Sequence, residues 1–289
     1  MIKKLCKYEF RSIGRTLIPI YIAVIAVSII TAISIAMNVN YANINYSSNS
    51  VQWAIEMNVP YKLQQVFTFV MSLTYFAVMV ALFVLTFVII LQRFYKGLLC
   101  DEGYLMFTLP VKPWQLITSK GITAFVISIL SGIVSCISIF IMMIGVAEDR
   151  WTLLAQMFSF KNWSMFFIRL NEVIPLWGLY ALEIIVYIIV GSLASLYQVY
   201  ASMAIGHLAK KNRILMSVVA YIVISMILSF IGGIFGVFSA FTMQNLMYIN
   251  AGEAFLHALL IFSIIISIIE CVVFFVITER ILSKKLNLE

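Results

Sequence analysis

The fold of this chain is organised around residues 93–120, which read RFYKGLLCDEGYLMFTLPVKPWQLITSK. Basic residues flank this stretch, and an acidic pair, Asp101 and Glu102, lies inside it. Two prolines then stop any helix before a long apolar segment begins at Trp114. A loop that only joined two membrane helices could be much shorter. We therefore expect this loop to hold a compact element against a partner.

The composition of the whole chain indicates a membrane protein. The 289 residues are 63% hydrophobic and 11% charged, with a mean hydropathy of +1.07. A soluble domain of this size needs more charge on its surface. Long apolar runs without alternating ten-residue segments exclude a β-barrel. The fold class is therefore all-α, a polytopic membrane protein.

Six apolar segments are each long enough to cross a bilayer. The predicted spans are 17–39, 66–91, 115–146, 174–205, 214–239 and 254–277. Before the first span, Lys3, Lys7, Arg11 and Arg15 recur every fourth residue and make a basic stripe. This pattern predicts an N-terminal amphipathic helix on the anionic inner membrane surface. The simpler alternative is a basic flank that only orients the first span.

The basic residues predict the orientation of the chain. Fifteen of the nineteen Lys and Arg residues fall on the side that holds both termini and the 93–120 loop. The positive-inside rule places that side in the cytoplasm, and it explains the net charge of +7 better than nucleic-acid binding does. We expect one transmembrane domain over residues 1–289, in the plasma membrane, with no disulfide among the four cysteines. Mixed charge and dense aromatics at 147–173 predict a short interfacial helix on the outer side.

Enzyme signatures are missing from the sequence. There is no H-E-x-x-H, no G-x-S-x-G and no P-loop. We therefore expect no catalytic residue, metal site or cofactor on this chain, and no nucleotide hydrolysis of its own.

Two acids, Glu183 and Glu270, lie within predicted spans. A charged residue at mid-span costs about 2.5–3.5 kcal/mol on insertion scales, so each should face the bundle interior or be protonated. They could line a translocation path, or each could hydrogen-bond a neighbour one helical turn away, such as Tyr187 or Ser267. No basic residue is predicted at membrane depth to pair with them, which argues against a charge relay. The two histidines, His207 and His257, are predicted on opposite sides of the membrane.

Three glycines, Gly232, Gly233 and Gly236, form a small-residue patch in the fifth span. Such a patch lets helix backbones approach closely, so it is a candidate for helix packing.

The topology of the chain and the sequence of the loop together resemble a known protein family. Six spans, an N-terminal amphipathic helix and this loop between spans two and three resemble the permease subunit of a bacterial ATP-binding-cassette (ABC) exporter of the type-2 class. At the level of sequence, residues 101–120 resemble permeases of Firmicutes in which the ATPase is a separate chain. The residues that carry the likeness are Glu102, Phe107, Leu109, Pro110, Val111, Trp114 and Lys120. The chain departs from the family at 241–253, which is short and shows no pair of re-entrant half-helices.

The resemblance implies that the loop carries a coupling helix that docks on the ATPase. The docking residues would be Asp101, Glu102, Gly103, Tyr104, Met106 and Phe107. The joint to the third span would consist of Pro110, Pro113 and Trp114. ATP and Mg would bind two cytoplasmic ATPase subunits, and a second permease, identical or similar, would complete the transporter within the membrane lipids. The exported substrate could be a peptide, a lipid or a drug-like molecule.

Two other function classes stay open at this point. One is an ion-coupled secondary transporter, although such folds usually show repeats and broken helices that are not visible here. The other is a membrane scaffold or immunity protein without transport. For the loop itself, the alternative is an ordinary amphipathic connector.

Overall fold

The structure is a computed structural model of the full chain, and it describes residues 2–46, 59–100, 112–147, 149–174, 176–209, 211–247 and 252–284. No residue in these ranges lies in a β-strand, and nearly all are helical. The α-helices are α1 (Ile2–Tyr46), α2 (Val59–Phe94), α3 (Pro113–Val146), α4 (Arg150–Met157), α5 (Phe160–Val173), α6 (Trp177–His207), α7 (Arg213–Met247) and α8 (Gly252–Lys284). A short π-helix, Tyr95–Leu99, continues α2.

The predicted six-span all-α architecture is confirmed. Six stretches are long and apolar enough to cross a membrane, and each exceeds the roughly 20 residues that a bilayer requires. They are Lys3–Asn38, Lys62–Leu99, Pro113–Val146, Trp177–His207, Arg213–Thr242 and Phe255–Ser283. Large apolar side chains cover their outer faces, as expected for helices solvated by lipid rather than water.

The N-terminal segment is helical as predicted, but it is not separated from the first span. The helix α1 runs through both without a break, and Pro19 lies inside this helix. A proline interrupts one backbone hydrogen bond, and in lipid a full helix break would leave more polar groups unpaired. The apolar face of the segment is buried through Ile13 and Leu17, while Arg11 and Arg15 are exposed.

Several helix boundaries differ from the prediction, and three of the differences affect the connections between spans. The fourth span begins at Trp177 rather than at residue 174, because Leu176 has a left-handed backbone (φ 61°) that a continuing α-helix does not accept. The segment predicted as one interfacial helix is two helices, α4 and α5. Helix α7 continues to Met247, so the connection predicted over 241–253 is shorter than expected.

The chain divides into two compact units. The first consists of Met1–Glu9, Ile90–Phe125 and Ile174–Glu289. Its core is built around Phe94 and Tyr200, both almost fully buried, and α6 packs against both α7 and α8. The second consists of Phe10–Ile89 and Val126–Val173.

The core of the second unit is smaller and more polar. Its buried apolar cluster is formed by Ile13, Leu17 and Ile127. Hydroxyl groups join its helices: Tyr21 and Thr86 both bond to Ser131, at 2.8 and 3.0 Å between oxygens. Such bonds satisfy hydroxyls that would otherwise be stranded in an apolar interior.

All four cysteines lie among the described residues, and all four are free thiols.

Candidate coupling site

The predicted docking residues cannot be placed on the fold. Asp101, Glu102, Gly103, Tyr104, Met106, Phe107 and Pro110 lie outside the described residues. Of the predicted joint, Pro113 is the first residue of α3, where a proline is well tolerated because its missing N–H has no helical partner there. Trp114 follows it and is 40% exposed. What the structure does describe are the two ends of the loop.

The loop begins with a change of helix type. Helix α2 ends at Phe94, and the π-helix continues through Leu98 and Leu99, which are almost fully buried. Single π-turns of this kind are uncommon and are frequently found at functional sites. Gly97 in this turn faces the amine of Lys120: a Cβ added there would lie 2.6 Å from Nζ. An alanine at this position would therefore require the Lys120 amine to move.

The other end of the loop contributes a buried lysine. Lys120 lies two turns inside α3, and its Nζ donates a 2.8 Å hydrogen bond to Oε1 of Glu9 and a 3.1 Å bond to the carbonyl of Arg93. The side chains of Lys120 and Glu9 are only 6% and 13% exposed. Burial of a charged pair is tolerated when geometry and additional hydrogen bonds are good, and both conditions hold here. The pair ties α1 to both ends of the loop.

Helix α6 closes on the same place. The ring of Tyr200 stacks on Phe94 with centroids 3.9 Å apart, and its hydroxyl donates to the carbonyl of Lys120 at 3.4 Å. A second tyrosine, Tyr197, lies over Gly121, where an added Cβ would lie 2.6 Å from the phenol oxygen. We call the cluster of Glu9, Phe94, Gly97, Lys120 and Tyr200 the loop root. Within the first compact unit it joins α1, the end of α2 with its π-helix, α3 and α6.

Sequence reasoning missed the loop root. It counted Lys120 as a basic flank of the loop, whereas the lysine lies within helix α3 and is buried. A usable signal was present, because a lone lysine inside an apolar helix needs an acidic partner. The first hundred residues contain only two acids, Glu9 and Glu56.

Glu183 has a partner that was not expected. Both of its carboxylate oxygens lie 3.0–3.1 Å from Nδ1 of His257, whose ring stacks on Tyr180 with centroids 3.8 Å apart. The expectation that no basic residue reaches Glu183 is therefore wrong, and so is the predicted hydrogen bond with Tyr187. The partner comes from α8, which packs along α6, and not from one turn along the same helix.

Glu270 lies far from the Glu183–His257 pair. It lies on α8, about 20 Å further along the helix axis than His257. Within the described part of the chain it makes no hydrogen bond or ion pair, and the predicted bond to Ser267 is absent. The two acids therefore do not form a continuous relay.

The glycine patch has no partner helix within the described part of the chain. A Cβ added to Gly232, Gly233 or Gly236 would meet no atom within 4 Å. Close approach of α6 and α7 takes place instead at Gly206, where an added Cβ would overlap Ser217.

With this geometry established, comparison with other proteins adds no identification. No protein-family model, no characterised protein and no solved structure matches the chain.

Proposed function

We propose that this chain is the transmembrane permease subunit of an ATP-driven ABC exporter, coupled through residues 93–120 to a separate ATPase. The observation that carries the proposal is the loop root. A plain connector needs only two helix ends, whereas here the two ends of the loop are fastened to each other, to α1 and to α6 by a buried ion pair and a stacked tyrosine. The likeness of residues 101–120 to type-2 permeases suggests that the loop root couples the ATPase to the spans.

The proposed coupling follows from the contacts of the root. ATP and Mg bind and react on two cytoplasmic ATPase subunits, which move the docking residues 101–107. Because α3 begins at Pro113, shortly after the docking residues, that motion reaches α3 first. Lys120 passes it to Glu9 on α1, and Tyr200 passes it to α6. Three helices therefore receive one displacement, which is what alternating access in the membrane requires.

The complete exporter would contain two such permeases, identical or similar, in the plasma membrane with both termini in the cytoplasm. Its substrate would be a peptide, a lipid or a drug-like molecule. Helix α7 has the least buried candidate span of the six found in the described residues, which leaves a large apolar surface for lipid or for the second permease.

The test is co-purification of an ABC ATPase with this chain from membranes of the native host. Glu102→Ala and Tyr104→Ala should each reduce recovery of the ATPase, because the first removes charge complementarity and the second an aromatic anchor. Membrane insertion and helical content should not change. Glu172→Ala, the same substitution at an exposed acid on α5, is the control and should leave recovery unchanged. Wild-type recovery in both loop variants would contradict the proposal.

A second function has one specific observation in its favour. The Glu183–His257 pair is a carboxylate and a titratable base at membrane depth, which is the chemistry of a proton-coupled secondary transporter. That function predicts substrate flux in liposomes driven by a proton gradient, with no ATPase present, and loss of the flux in Glu183→Gln. The exporter proposal predicts no such flux without the ATPase. A scaffold or immunity protein would give no flux in either condition.

A further inference from the structure

The second compact unit contains a groove that the proposed coupling does not use. It runs between α1 and α3, has a volume of about 440 Å³, and is lined by apolar side chains that include Ile33, Met37 and Ile141. Its floor is closed where the two helices touch: a Cβ added to Gly145 would lie 2.7 Å from the backbone of Ala32.

The depth of the groove determines the kind of molecule that fills it. On α1 it reaches Met37, one residue before the candidate span ends at Asn38, and on α3 it reaches Gly145, one residue before the span ends at Val146. It therefore runs from the hydrocarbon region to the level of the lipid headgroups. Water does not enter the hydrocarbon region, so the apolar part of the groove matches an acyl chain in chemistry.

Arg150 stands at the polar end of the groove. Its Nη2 donates a 3.1 Å hydrogen bond to the carbonyl of Ala36, whereas its Nε is buried and has no hydrogen-bond partner among the described residues. A guanidinium has five N–H donors in a planar fork that matches a phosphate group. A buried donor without a partner is costly, so the position favours an anionic oxygen at this point.

An acid lies directly beyond the arginine. A second pocket of about 340 Å³ shares Ile144 and Arg150 with the groove and adds Asp149 and Trp151. One carboxylate oxygen of Asp149 accepts a 3.3 Å bond from the backbone N–H of Thr152, and the side chain is otherwise exposed. Trp151 is 82% exposed, as is usual for tryptophan at the headgroup level.

From this order of groups we infer that residues 29–37, 141–145 and 149–151 form a specific site for one phospholipid with an ethanolamine head. An acyl chain lies in the groove, the phosphate binds Arg150, and the ammonium binds Asp149. A purely anionic head such as glycerol phosphate would satisfy the arginine but would face the Asp149 carboxylate without a cation. The site therefore discriminates between headgroups, unlike the general lipid surface around the spans.

The test is lipid retention by the full chain, purified in mild detergent and measured by native mass spectrometry. The probes are phosphatidylethanolamine and phosphatidylglycerol with identical acyl chains. We expect one phosphatidylethanolamine to bind at least about tenfold more tightly than phosphatidylglycerol, the difference that one charge-assisted hydrogen bond contributes. Equal binding of the two lipids by the wild type would overturn the inference.

Variants separate the two contacts. Arg150→Gln should weaken binding of both lipids about tenfold or more, since both carry the phosphate. Asp149→Asn should abolish the preference for phosphatidylethanolamine, and it keeps the cap of α4 because asparagine caps as well as aspartate. Lys161→Gln, an exposed cation on α5 away from the groove, is the control and should change nothing.

Two outcomes in the variants contradict the site. Wild-type lipid binding in Arg150→Gln shows that the arginine holds no phosphate. If Arg150→Gln is not recovered folded, Asp149→Asn decides alone, and a preference that survives in it shows that the lipid lies elsewhere or is bound without regard to its head.

Discussion

Two carboxylate–cation pairs join helices in the first compact unit, and their surroundings differ. Glu9 and Lys120 lie 2.8 Å apart, and Lys120 has a second acceptor in the carbonyl of Arg93. Glu183 and His257 are 3.0 Å apart, and their environment is an aromatic stack with Tyr180. The amine of Lys120 has two acceptors, a carboxylate and a backbone carbonyl, whereas Nδ1 of His257 faces the Glu183 carboxylate alone among the described residues. The first pair is therefore a fixed joint held by two bonds, and the second is a single contact.

The largest effect is expected from breaking the fixed joint. Lys120→Met removes the cation and leaves Glu9 buried without its partner, which costs about 3–5 kcal/mol in the free energy of unfolding. Unfolding in mixed detergent micelles, followed by circular dichroism, measures this loss. The double variant Glu9→Gln/Lys120→Met should recover part of it, because no unpaired charge then remains.

The control for this prediction lies on the same segment. Lys112→Met removes an exposed lysine and should stay within about 0.5 kcal/mol of the wild type. Equal stability of Lys120→Met and Lys112→Met would contradict the role given to the loop root.

A smaller effect is expected from crowding the joint without removing a charge. Gly97→Ala places a methyl group 2.6 Å from the position of the Lys120 amine, so the amine must move and its bonds to Glu9 and to the Arg93 carbonyl are disturbed. Overpacking of this kind costs about 1–3 kcal/mol. The same substitution at Gly132 on α3, where no atom lies within 4 Å, should be neutral or stabilising by up to about 1 kcal/mol. Indistinguishable unfolding curves for the two alanine variants would show that Gly97 does not make room for the lysine.

The smallest effect is expected at the second pair. Glu183→Gln keeps a hydrogen-bonding group beside His257 and leaves no charged group without a partner when the histidine is neutral. The unfolding free energy should fall by less than about 1 kcal/mol. A loss as large as that of Lys120→Met would mean that both pairs are fixed structural joints, and the comparison between them would fail.

The sequence predicts the spans well and the polar contacts poorly, for one physical reason. Apolar length is a local property, so six spans can be counted from residues that follow one another. An ion pair between helices is not local: Glu9 and Lys120 are separated by 111 positions, and Glu183 and His257 by 74. For Glu183 and Glu270, reasoning along a single helix suggested Tyr187 and Ser267 as neighbours. The observed partner of Glu183 depends instead on how α6 and α8 pack.

Helix ends show the same distinction. Pro113 predicts the start of α3 to within two residues because proline acts through its own ring geometry. The π-helix at Tyr95–Leu99 was not predicted, and its contacts are non-local: Gly97 faces Lys120 of α3, and Leu98 is buried in the core. The glycine patch at 232–236 has the sequence of a packing surface, yet the close contact of α7 with α6 lies near the start of α7, where Ser217 meets Gly206 of α6.

The central proposal is that motion of an ATPase partner reaches α1 and α6 through the loop root. Hydrogen–deuterium exchange of this chain purified together with the proposed ATPase, with and without a non-hydrolysable ATP analogue, tests it most directly. The analogue should change exchange together in three peptides, covering residues 2–9, 93–100 and 196–204. In Lys120→Met the change at 2–9 should disappear while ATPase binding persists. Changes confined to the loop in the wild type, or an unaltered response at 2–9 in the variant, would contradict the account.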